Sequence, residues 1–65
     1  MPSGLCVVEI QSTGVLLSGG EEMTLAHAQR LAKVNTAKTP GRKVRILQGG
    51  GRTPVQTWQD GARIG

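Results

Sequence analysis

Thr24-Leu25-Ala26-His27-Ala28-Gln29-Arg30-Leu31-Ala32 is the one stretch of this chain with a helical period. Leu25, Ala28, Leu31 and Ala32 recur at i, i+3, i+6 and i+7 and form a single apolar stripe. Thr24 is a good N-cap, and Ala26, Ala28 and Ala32 raise intrinsic helix propensity. Glu21 and Glu22 precede the positive end of the helix dipole, whereas Arg30 and Lys33 lie toward its negative end. Thr39 precedes Pro40 and is biased out of the α region, so the pattern predicts a helix over 24–36 that ends within Asn35–Thr39.

On either side of this helix the period drops to two. Leu5-Cys6-Val7-Val8-Glu9-Ile10 is rich in β-branched residues, with Cys6, Val8 and Ile10 on one face. Gln11-Ser12-Thr13-Gly14 has turn chemistry, and Val15-Leu16-Leu17 reads as the returning strand of a hairpin that Ser18-Gly19-Gly20 ends. After the Pro40-Gly41 turn, Val44 and Ile46 alternate with Lys43, Arg45 and Leu47. Gly49-Gly50-Gly51-Arg52-Thr53-Pro54 connects this strand to Val55-Gln56-Thr57-Trp58. Asp60-Gly61 then suits a type I′ turn into Ala62-Arg63-Ile64. The expected class is α+β: a single antiparallel sheet of four or five strands with one helix packed on one face, in the order ββαββ(β). Val8, Ile10, Val15, Leu17, Val44 and Ile46 are the main sheet-side core candidates.

With 65 residues the chain is read as one small domain, 1–65, with 1–4 a frayed N-terminus. Hydrophobic residues make up 37%, with no Phe or Tyr and one Trp, so the core is small. A homodimer through an uncovered strand edge or sheet face would enlarge it. Cys6 is the only cysteine, which excludes an intramolecular disulfide and suits a reducing cytoplasm. Leu5–Val8 is too short an apolar run for a membrane span or a signal peptide, so no membrane partner is expected.

Charge is divided along the chain. Residues 1–29 carry Glu9, Glu21 and Glu22 and no Lys or Arg. Residues 30–65 carry Arg30, Lys33, Lys38, Arg42, Lys43, Arg45, Arg52 and Arg63 against Asp60 alone, and the net formal charge is +4. Clustered cations point to an anionic partner: an acidic protein surface, a nucleoprotein complex, or the backbone of DNA or RNA. Arg30, Lys33, Arg42, Lys43, Arg45, Arg52 and Arg63 are the candidate partner- or phosphate-binding residues. Trp58 joins them as an apolar contact residue, or else anchors the core. A single aromatic cannot build a base-stacking platform.

Catalytic chemistry finds little to work with. Cys6, His27 and Asp60 match no nucleophile spacing, one His with one Cys cannot complete a tetrahedral zinc site, and Glu21-Glu22 serves the helix dipole. Gly49-Gly50-Gly51-Arg52-Thr53 could cradle a phosphate, yet it lacks the Gly-Lys-Ser/Thr ending of a P-loop and opens no helix; a flexible loop is the plainer reading. The expectation is a non-enzymatic module with no catalytic residue, metal or cofactor.

The helix Thr24–Ala32, followed by Gly41, the strand Val44-Arg45-Ile46 and Trp58-Gln59-Asp60-Gly61-Ala62-Arg63, resembles very small ββαββ proteins of phages and mobile elements. Among these, the pattern is most similar to a family of anti-CRISPR proteins directed at the type I-F Cascade surveillance complex. The resemblance spans roughly residues 24–64 and implies a phage-encoded inhibitor in the host cytoplasm. Such a protein docks on the backbone subunit of the complex and blocks guide–target pairing. Arg30 and Arg63 fall within the matched segments and are the contacts that the resemblance implies. The alternative from charge alone is a sequence-nonspecific nucleic-acid-binding accessory protein.

Overall fold

In the computed structural model, which describes residues 4–65, the period-two segments form one four-stranded antiparallel sheet. Strands β1 (Cys6–Ile10), β2 (Lys43–Gln48), β3 (Thr53–Gln59) and β4 (Ala62–Arg63) lie in that spatial order, and helix α1 (Leu25–Lys38) packs on one face. The sheet-plus-helix architecture expected from the sequence is present. Residues 1–3 of the expected frayed segment lie outside the described residues.

The alternation of apolar residues sets the face. Val8 pairs with Ile46 and Ile10 with Val44, and Val44 pairs in turn with Trp58, so these side chains line the helix side. Cys6, Val8, Met23, Ala28, Ala32, Val44 and Ile46 form the buried cluster, with Leu25, Leu31 and Trp58 half-buried around it. The alanines let α1 lie close to the sheet. Its central line is Ala28, Ala32 and Thr36, all fully buried, and the leucines of the expected stripe occupy its flanks. Thr36 tolerates burial because its hydroxyl donates to the Ala32 carbonyl at 2.8 Å and accepts from the Gly61 N–H at 2.9 Å. That second bond fastens the last turns of the helix to the β3–β4 turn.

The N-terminus of α1 is capped as the sequence suggests: the Thr24 side chain accepts from the His27 N–H at 3.3 Å. The hairpin expected over 15–17 is reduced to a single bridge, Glu9 with Leu16. Ser18, Gly19 and Gly20 all adopt positive φ, and the chain coils there instead of extending. It returns to β1 at Met23, whose backbone exchanges bonds with that of Cys6 at 2.6 and 2.8 Å. Val15, placed among the core candidates, is 55% exposed as a result. Met23 takes up core volume that Val15 was expected to fill.

A register shift between Ile46 and Leu47 makes Val55 the extra residue of β3, and it packs against the core. At the other end of β3, Asp60 and Gly61 have φ of 54° and 77°, as a type I′ turn needs. The outer edge of β1 is paired at Leu16 and Met23. The opposite edge is two-residue β4 and the start of β3, where Arg63 and Pro54 discourage strand addition.

Candidate anion-binding end

Strand register assigns each cation to a place. The row Ile10–Val44–Trp58–Arg63 marks one end of the sheet. At this end lie the turn after β1, the α1–β2 connection and the β3–β4 turn, and α1 finishes there. Lys33 and Lys38 from the second half of α1, Arg42 from the connection, Lys43 from the start of β2 and Arg63 from β4 therefore all lie toward this end, with Lys43 on the sheet face away from α1 and Arg63 on the face shared with Trp58. Asp60 is the one carboxylate among these elements, and its Oδ1 accepts the Gly41 N–H at 3.0 Å. Arg52, Glu21 and Glu22 belong to the opposite end, beyond Gln48 and before Met23.

The expected set of contact residues is thus divided. Arg42, Lys43, Lys33 and Arg63 fall at one end, and Arg30 is exposed on the outer side of α1, next to His27. Arg52, with a φ of 51°, sits about six strand residues away, or roughly 20 Å at the usual strand rise of ~3.3 Å. Arg45 is engaged: its Nε and Nη2 both donate to Glu9 Oε1 across the β1–β2 pair. This is the only ion pair among the described residues. Trp58 packs against the core, and its Nε1–H donates to Gln56 Oε1 at 3.0 Å. The same oxygen accepts from Gln29 Nε2 at 3.3 Å, tying β3 to α1.

Arg42 is tied to the end of α1 at this basic end. It is half-buried, its backbone N–H donates to the Thr39 carbonyl at 3.1 Å, and its Nη1 donates to Asn35 Oδ1 at 3.2 Å. A neutral amide holds it in place without cancelling its charge. Beside it, Gln11, Ser12, Thr39, Gly41 and Lys43 complete the lining of an open cleft of about 350 Å³. Asn35, Gln11, Ser12 and Thr39 went unremarked as site residues in the sequence. Turn and helix-end residues of this kind are common, and only closure of the sheet brings 11–12 against 39–43.

The ingredients considered for catalysis are kept apart. Cys6 lies at the Gln48 end of the sheet, whereas Asp60 follows Gln59 at the Lys43 end, and His27 is exposed on α1. Burial raises the pKa of the Cys6 thiol, which favours the protonated, unreactive form. Among the described residues no three His, Cys, Asp or Glu side chains cluster as metal ligands, and no helix is long and apolar enough to cross a membrane.

No family model, curated protein or solved structure matches this chain.

Proposed function

We propose that this chain is a small non-enzymatic binding module that presents its basic end to a nucleoprotein, such as a CRISPR surveillance complex in a phage-infected host. One observation carries the reading: Lys33, Lys38, Arg42, Lys43 and Arg63 gather at one end; among the described residues the first four form no ion pair, and Arg63 Nε donates to the Gly65 main-chain oxygen at 2.8 Å. Cations gathered at one end of a small domain steer it toward negative surfaces and raise its association rate. Val15, Val34 and Ile64 are 46–55% exposed as well. Exposed apolar side chains together with cations suit a surface made of protein and phosphate together better than bare duplex, which offers phosphate alone along its rim.

The test uses a purified, guide-loaded surveillance complex in a gel-shift assay, with a free DNA duplex as the comparison. The complex is expected to bind more tightly than the duplex. A duplex held through five cations would lose affinity with a log–log salt slope of about 4–5, and the complex should show a shallower one. Reversing Arg42, Lys43 and Arg63 to Glu should abolish binding, and Arg52→Glu should leave it unchanged. Equal losses from both variants, or no binding to the complex, would overturn the proposal. Tighter and steeply salt-dependent binding to the duplex would replace it with the nucleic-acid-binding reading.

A further inference from the structure

We infer that the cleft between the turn after β1 and the α1–β2 connection is a subsite for one phosphate ester group; this deepens the reading above by assigning the anion and the place where it binds. Gln11, Ser12, Thr39, Gly41, Arg42 and Lys43 line it, and no carboxylate is among them. Its volume of about 350 Å³ admits a phosphoryl group with part of the sugar that carries it.

Arg42 makes the cleft more than a basic patch. Its guanidinium is held on one side by Asn35 Oδ1 and has further N–H donors to offer an anion. Because it is half-buried and already fixed, it loses little freedom when a ligand arrives. The Lys43 ammonium provides a second full charge, and the Ser12 and Thr39 hydroxyls provide neutral donors. The two walls are tied together by the Gln11 N–H, which donates to the Lys43 carbonyl at 3.0 Å. The carbonyl end of α1 opposes an anion here with the equivalent of about half a charge, which the two full positive charges outweigh.

A phosphate ester can come from a nucleic-acid backbone or from a small phosphomonoester. Amide chemical-shift titration of the intact chain with glucose 6-phosphate and with an unphosphorylated single-stranded 12-mer separates them. Saturable shifts are expected at Ser12, Gly41, Arg42 and Lys43, with Arg30 and Arg52 unmoved. Tighter binding of the 12-mer assigns the backbone as the source, and tighter binding of the sugar phosphate assigns a small ligand; either result supports the subsite. Lys43→Gln, at an exposed position, should weaken the better ligand at least fivefold, and Asn35→Ala about threefold by releasing Arg42. Arg52→Gln should change it less than twofold. Shifts spread evenly over all cations, or a Lys43→Gln variant that binds as the parent does, would overturn the inference. If the subsite fails while charge reversal of the basic end still abolishes nucleoprotein binding, the function stands without it. Phosphate binding without nucleoprotein binding separates the two the other way.

Discussion

Gly61 donates its backbone N–H to the Oγ1 of Thr36 at 2.9 Å, fastening the β3–β4 turn to the buried line of α1. The bond joins residues 25 positions apart and holds together two of the elements that carry the basic end. Thr36 is fully buried, and the Gly61 N–H that it satisfies is half-buried.

Thr36→Val should therefore destabilise the fold by about 0.5–1.5 kcal/mol, the usual net worth of such a hydrogen bond. In a domain of this size, each kcal/mol lowers Tm by about 4–8 °C. Thr36→Ser keeps the hydroxyl and should lose less. Urea unfolding of the pair checks the order, and equal losses would assign the effect to packing.

Gly61→Ala probes the same junction through geometry. Gly61 has a φ of 77°, and a Cβ there would lie 3.3 Å from the Ala37 Cβ. The left-handed backbone alone costs a non-glycine residue about 1–2 kcal/mol. A double-mutant cycle with Ala37→Gly should recover only the part due to the close contact. Full recovery would show that the backbone conformation is not the main penalty.

Core substitutions should rank by burial. Ile46 is fully buried between α1 and the sheet, whereas Leu31 is half-buried on the helix flank. Ile46→Ala should cost about 2–5 kcal/mol and leave little folded protein. Leu31→Ala should cost clearly less, and Ala32→Leu should lose about 1–3 kcal/mol by forcing α1 off the sheet. Thermal denaturation by circular dichroism gives the ranking.

Glu9→Gln releases Arg45 from its ion pair and adds one unpaired cation to the sheet face away from α1. The two side chains are 16% and 36% exposed, so screening by solvent keeps the stability change at or below about 1 kcal/mol. Affinity for the proposed nucleoprotein partner should be unchanged or slightly higher. A large loss of affinity would mean that the paired arginine, rather than the basic end, makes the contact.

Cys6 should react slowly with a thiol reagent in the native state and at the free-thiol rate in urea. Its pKa is raised from 9.0 by burial, so the folded state favours the neutral thiol. That contribution to stability is complete below the unfolded thiol's pKa and is lost as pH rises through the folded value. Unfolding midpoints above pH 9 should fall less for Cys6→Ala than for the parent chain.

Local signals in the chain were enough for α1, for the four strands of the sheet and for the side of the sheet that α1 covers. A helical period with a Thr24 cap, the alternation in β1 and β2, and Asp60-Gly61 are local signals, and each sits where propensity and burial agree. Tertiary structure decided what depends on distant partners. It coiled 17–20 at positive φ and left Val15 exposed, because Met23 could pair with Cys6 and fill the core. It fastened the last turns of α1, which end at Lys38 within the expected window, to the β3–β4 turn through the Gly61–Thr36 bond. It also divided the cations. In the chain all eight lie within residues 30–65, but in the fold Arg45 is paired with Glu9 and Arg52 is carried to the far end. Charge counts are set by composition, whereas which charges remain unpaired, and side by side, is set by strand register and by the closure of turns.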